Sequence, residues 1–234
     1  MIFPLDGVDS LKLDPATLAG IFAGTITTWN DPAIAATNPD VTLPGTRITP
    51  VHRSDKSGTT GNFTDYLGAS APDVWTYGSV EEWPVEGGEA AQGTSGVVNA
   101  VKGGAGTIGY ADSSQAANLA SVKVQVGEEW VGHSAEGAAI AVDASPFEEG
   151  RAATDLAIAI DRATTASGAY PVVLISYLIG CAEYADAAQA TLVKGFFATA
   201  LSESGQQAAA TNAGSAPISD ALRTKATAAV DAIN

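Results

Sequence analysis

The chain has 234 residues, 46% of them hydrophobic, and its 26 acidic against 11 basic side chains give a formal charge of −15. This is a globular composition with enough length for one large or two small domains and a sizeable core; it excludes a disordered chain. The acidity argues against a nucleic-acid or anionic-membrane partner, which needs a basic face, and one cysteine with two histidines leaves neither an internal disulfide nor a metal-ligand cluster.

In chain order, Met1–Ser10 lacks the charged, apolar and small-residue segments of a signal peptide, and Ile2 to Leu5 reads as the end of a strand followed by a loop. Asp14-Pro15 is a helix start, an acceptor at the N-cap with proline at the first helical position. Leu18, Ile21 and Phe22 give that helix its apolar stripe and Gly24 stops it. Asn30-Asp31-Pro32 repeats the signal for a short helix, Ala33 to Thr37, with Trp29 as a core anchor. Ile48 to Val51 reads as a strand, and a helix opens near Ser57-Gly58 with Phe63, Tyr66 and Leu67 facing the core. Ala71 to Trp75 is read as a further helical turn and the acidic, Gly-rich Glu81 to Gly93 as a loop.

Gly93-Thr94-Ser95-Gly96 is a second small-residue helix start, followed by a short strand, Thr107 to Tyr110. Asp112 caps a predicted helix, Ser113 to Leu119, and Val122 to Val126 alternates as a strand. His133, in a loop beside Glu136, is expected to be structural or solvated. Leu156 to Ile160 is a strand or short helix that periodicity does not separate. The apolar, β-branched run Val172 to Ile179 suits a strand buried on both faces, with Cys181 after it as a small buried residue. Ala185 to Leu201, Ser204 to Ala210 and Ser219 to Ile233 read as helices. Strands separated by helices predict an α/β fold with a largely parallel sheet. No run reaches the length of a membrane-spanning helix.

The chemistry concentrates in Arg53-Ser-Asp-Lys-Ser-Gly-Thr-Thr60. A strand running through a small-residue turn into a helix aims unpaired N–H groups, and the positive end of the helix dipole, at one spot suited to an oxyanion. Gly58 lets a ligand approach the main chain, the hydroxyls of Ser57, Thr59 and Thr60 can donate, and Arg53 can grip two oxygens of a tetrahedral anion. An ordinary N-cap beside a solvated arginine would explain the Ser-Gly-Thr run; the added Arg-x-Asp spacing favours the anion site.

This octapeptide resembles the Arg-x-Asp-x-Ser-Gly-Thr signature of the phosphate-binding proteins of bacterial phosphate ABC transporters, the PstS family. Leu13–Phe22 with Trp29–Ala35, Gly106-Thr-Ile-Gly-Tyr110, and Tyr170-Pro171 with the run after it are similar to further stretches of that family. The resemblance implies a two-lobed, type II periplasmic-binding-protein fold. Lobe two, residues 1–170, would carry the turn; lobe one would be only partly present, as residues 171–234. It also implies phosphate bound by Arg53, Ser57, Gly58 and Thr59, with Asp55 orienting Arg53 and Thr60 in support. A monomeric, non-enzymatic receptor follows, with no catalytic residue, cofactor or metal. It would sit outside the cytoplasm, lipid-anchored in the full-length parent, and deliver inorganic phosphate to the permease subunits of the transporter. Family members have a further segment ahead of the position of Met1, with the first strands of lobe one, a Ser/Thr phosphate loop, a second serine and an aspartate that accepts a proton of the ligand. The chain therefore reads as a member lacking that part and its signal peptide.

Besides the reading that the chain as given is a partly competent fragment that binds nothing tightly, two alternatives remain open on the sequence. One is a receptor for another tetrahedral oxyanion such as sulfate, because discrimination turns on an acceptor for the ligand proton. The other is a phosphatase or esterase with Ser57 as nucleophile, for which His52 is the adjacent base.

Overall fold

The computed structural model describes residues 1–116 and 119–234. Among them, seven strands form one sheet: β1 (Ile2–Phe3), β2 (Ser10–Leu13), β3 (Thr49–Arg53), β4 (Glu89–Ala91), β5 (Thr107–Gly109), β6 (Ala120–Val126) and β7 (Glu129–Val131). The helices between them are α1 (Pro15–Phe22), α2 (Pro32–Thr37), α3 (Gly58–Ser70) and α4 (Gly93–Gly103), with α5 (Ala135–Asp143) after β7 and α6 (Ala187–Leu201), α7 (Glu203–Ala213) and α8 (Asp220–Asp231) at the C-terminal end. The strand order is β2-β6-β1-β5-β3-β4, with β7 on β6. The sheet is mixed, not largely parallel: β4-β3-β5 and β2-β6 run parallel, while β1 is antiparallel to β5 and β6 and β7 to β6. The crossovers through α3 and α4 return the chain in the same direction, whereas β6 and β7 form a hairpin at Gly127, φ 57°, which forces an antiparallel pair.

Local signals place the first helices. The Asp14 carboxylate accepts from Thr17 N at 2.8 Å and from its hydroxyl at 2.8 Å, and Asp31 accepts from Ala33 N at 2.9 Å, so both N-terminal caps form with proline behind them. One sheet face packs Phe3, Leu11, Leu13, Phe22, Trp29, Phe63, Tyr66 and Leu67 beneath α1 and α3. The other packs Ile2 and Val51 against Val97, Val98 and Val101 of α4. Trp29 is fully buried, its indole donating to Gly106 O at 3.1 Å. At Gly106, φ 75°, a Cβ would lie 2.5 Å from Arg47 O, so only glycine allows this approach.

Several expectations are corrected. The segment read as a loop, residues 81–93, contains β4, an exposed edge strand with no apolar alternation, and β2, β7 and α5 were not anticipated. Ala71–Trp75 does close one helical turn, Trp75 N donating to Ala71 O at 2.9 Å, whereas Leu156–Ile160 is neither helix nor strand, contributing one bridge, Phe147 to Ile158. Of the helix expected over Ser113–Leu119, Ser113–Gln115 forms a 3-10 turn capped by Asp112; residues 117–118 lie outside the described residues. The largest difference is the run 172–179. It is no strand, and Leu174, Tyr177, Leu178 and Ile179 are exposed, Ile179 by 91%. Its composition suits a central strand, yet no strand among the described residues pairs with it; Val172 packs against the core while the side chains from Tyr177 on are exposed. Cys181 is likewise exposed, not buried.

One side chain ties this segment to the body. Arg162, its side chain 9% exposed, donates to Asp65 Oδ2 at 2.9 Å and Asn62 Oδ1 at 2.6 Å on α3, and to Pro171 O and Val173 O at 2.8 Å each. Nothing local to Arg162 in the sequence announces this clamp.

Candidate anion-binding turn

β3 and β4 run parallel and in register, Arg53 beside Ala91, and each is followed within a few residues by the N-terminus of a helix, α3 or α4. Ser54 N donates to Ala91 O at 3.0 Å and closes the two strand ends together. Ligands of α/β sheets collect at such carboxyl ends of strands, where helix N-termini supply partial positive charge.

Ser57 is the N-cap of α3, extended at φ −150°, and its Oγ accepts from Thr59 N at 3.1 Å. Ser57 N itself donates to Glu81 O at 2.9 Å. Two of the three main-chain donors expected at the turn are thus engaged internally. Among the described residues the Gly58 N–H has no partner, and the Ser57 and Thr59 hydroxyls have no acceptor. Gly58 is exposed, and a Cβ there would meet nothing within 4 Å. Thr60 faces inward: it is fully buried, with Oγ1 2.7 Å from the Tyr110 hydroxyl.

Arg53 and Asp55 form a bidentate pair, Nε to Oδ1 at 2.8 Å and Nη2 to Oδ2, with side-chain exposures of 12% and 35%. Asp55 Oδ1 also accepts from Gly93 N, the first residue of α4, at 3.1 Å. These bonds, Arg53 first and Gly93 second, hold the Asp55 carboxyl well below the usual carboxylate range; the Asp55 bond raises the Arg53 guanidinium in turn. The fork is thereby oriented while Nη1 has no acceptor among the described residues.

A depressed carboxyl sets the sign of the pH dependence. The pair contributes fully above the unfolded aspartate value, about 3.9, and is lost only as pH falls through the lower folded value. Carbon-13 titration of the side-chain carboxyls is therefore expected to give Asp55 a midpoint below those of exposed aspartates, with the turn unchanged between about pH 5 and 8. A midpoint near 3.9 would mean the pair does not persist in solution.

Residues 79–87 fold over this turn. Val80 N and O both bond the Thr64 hydroxyl at 2.9 Å, Lys56 Nζ lies 3.1 Å from Glu81, and the Trp83 ring stacks on His52 at 5.1 Å and on Tyr110 at 5.8 Å. His52 Nδ1 is 3.0 Å from Arg53 O and Nε2 3.3 Å from Gly87 O, so its ring nitrogens face carbonyls and neither bonds Ser57 Oγ. His133 lies elsewhere, exposed, with its ring 6.5 Å from that of Tyr170, and desolvation by its surroundings lowers its pKa. Among the described residues no group of His, Cys, Asp and Glu could hold a metal ion. The structure places Arg53, Asp55, Ser57, Gly58 and Thr59 in one turn, and it adds Gly93, Tyr110 and the 79–87 segment, which sequence reasoning missed, as its supports. The only hint of them was a second small-residue helix start at Gly93 and a tyrosine closing the strand before Ala111.

Residues 1–204 match the family model described as PBP superfamily domain. The chain is similar to phosphate-binding protein PstS 3 of Mycobacterium tuberculosis, 36% identical over 237 residues covering 99% of this chain and 63% of the relative. It is 34% identical over 250 residues to PstS 2 of the same organism, again covering 99% and 63%, and 35% identical over 215 residues to PstS of Xylella fastidiosa, covering 88% and 57%. The chain thus spans less than two thirds of the length of these curated relatives. Its fold is similar to that of a high-affinity periplasmic phosphate-binding protein solved with phosphate, PfluDING, with a TM-score of 0.75 at 24% identity over 97% of this chain and 67% of that one. A human phosphate-binding apolipoprotein gives a TM-score of 0.67 at 22% identity, covering 97% and 68%.

Proposed function

The chain belongs to the PBP superfamily, and from that premise we propose that it binds inorganic phosphate, without turning it over, as part of a receptor that delivers the anion to the permease of an ABC transporter. The observation that carries this is the Arg53–Asp55 fork held beside the open N-terminus of α3. Arg53 Nη1, the Gly58 N–H and the Ser57 and Thr59 hydroxyls are the ligand donors in this reading, with Asp55 and Thr60 in support. The names of the curated relatives agree with it. Binding rather than catalysis is favoured by His52, whose ring nitrogens are turned to carbonyls and not to Ser57.

The same reading assigns residues 1–170 to one lobe and 171–234 to another. The exposed apolar side chains of Leu174, Tyr177, Leu178 and Ile179 and the mutual packing of α6 with α7 and α8 support that division. It also carries a monomeric receptor outside the cytoplasm, lipid-anchored in the full-length parent.

Calorimetric titration of the chain with inorganic phosphate tests the function. Saturable binding of phosphate is expected. Equal displacement by sulfate would make the chain a general oxyanion receptor, and no saturable heat would remove the reading.

A further inference from the structure

The register of β3 with β5 ends before Arg53: Thr49 pairs with Thr107, Pro50 with Ile108 and Val51 with Gly109. Tyr110, the residue after β5, reaches back with its side chain to where that ladder stops. Its hydroxyl lies 3.2 Å from Arg53 N, and because an amide can only donate, the phenol oxygen is the acceptor. The same oxygen is 2.7 Å from Thr60 Oγ1, in the first turn of α3. The ring cannot swing away. Tyr110 is 3% exposed and packed by Phe63 at 4.7 Å, Trp83 at 5.8 Å and Phe22 at 6.1 Å. Burial raises the pKa of the phenol, so it stays a neutral hydroxyl at physiological pH.

We propose that Tyr110 is a positioning residue of the anion site, its buried phenol pinning the end of β3 to the first turn of α3 and so fixing where Arg53 and Gly58 present their donors. Residues 54–57 join those two elements through a polar turn whose other bonds run to Ala91, Glu81 and Gly93, so Tyr110 is the side chain that bonds β3 and α3 at once. An anion held between a guanidinium and a main-chain N–H loses affinity when either donor moves by a fraction of an ångström, because the ordering must then be supplied on binding. The inference rests on the phosphate-binding reading for its effect on affinity, and on the structure alone for its effect on the turn.

The test uses Tyr110→Phe, which keeps the ring and its aromatic neighbours, together with Thr60→Val and Thr60→Ser. Phosphate affinity is expected to fall about tenfold in Tyr110→Phe and in Thr60→Val. The double variant should be little worse than either single one, and Thr60→Ser should retain wild-type affinity, since it restores the hydroxyl. Hydrogen exchange without ligand gives a second readout: the Arg53 amide should exchange at least about tenfold faster in Tyr110→Phe while amides inside α4 do not change. Unchanged Arg53 exchange in Tyr110→Phe overturns the proposal whether or not phosphate binds. If the wild type binds phosphate and Arg53→Ala abolishes it while Tyr110→Phe binds normally, the proposal fails and the phosphate reading stands. If Arg53 exchange rises but the wild type takes up no phosphate, the pinning role stands and the phosphate reading fails.

Discussion

Replacing Arg53 by alanine is expected to weaken phosphate binding at least about a hundredfold while leaving the fold intact. Hydrogen bonds to charged groups contribute roughly 1.5–3 kcal/mol each, so loss of the two N–H donors of Nη1, the guanidinium nitrogen that Asp55 leaves free, removes about 3 kcal/mol or more, roughly two powers of ten in affinity. A second effect acts in the same direction. Asp55 stays ionised without Arg53, because Gly93 N still donates to it, and so an uncompensated carboxylate is left facing the incoming anion in a chain of net charge −15. Arg53→Lys keeps the charge and loses the planar fork, and is expected to fall between wild type and alanine. Calorimetry on the three proteins, with circular dichroism to verify folding, decides the matter. Wild-type affinity in Arg53→Ala would remove the turn from any account of binding.

The largest effect on stability is expected from Arg162→Ala. Its guanidinium is matched on every side: Asp65 and Asn62, three residues apart on one face of α3, and the carbonyls of Pro171 and Val173. Truncation strands two carbonyls and the Asn62 amide oxygen at once. Breaking a buried pair costs about 3–5 kcal/mol. Asp65 is 45% exposed and regains water when freed, so the expected loss lies at the low end, about 3 kcal/mol. For a chain of this size that is a fall in Tm of roughly 6–12 °C. Arg162→Lys should recover a minor part, since one ammonium cannot reach both carbonyls and both side chains. Urea or thermal denaturation gives the number, and a Tm within a degree or two of wild type would show that the clamp holds nothing.

How much was legible follows from how far apart the determinants lie. Asp14-Pro15 and Asn30-Asp31-Pro32 announced α1 and α2 because a cap, its proline and the amides it satisfies fall within four residues. The anion turn was legible for the same reason: Arg53, Asp55, Ser57 and Gly58 are near neighbours, and the fork between Arg53 and Asp55 spans two residues. β4 and β7, three residues each, owe their existence to β3 and β6 and carry no pattern of their own. The run 172–179 failed in the opposite way: its composition states what would be buried, but burial is conferred by a neighbour, and none among the described strands adjoins it. Arg162 was missed because its four partners belong to two other segments.

The turn is contiguous in the chain, but its supports are not. Asp55 is held by Gly93, 38 residues on, and Arg53 and Thr60 by Tyr110, 57 and 50 residues on. Closing loops of that length is slow compared with forming a helix turn, and such contacts reward the chain only once the strands between them have paired. During synthesis the octapeptide therefore leaves the ribosome as an unshaped string of donors, and it becomes a site only after Tyr110 has emerged and β5 has joined β3. On the proposed reading, phosphate meets a finished sheet and takes no part in making it.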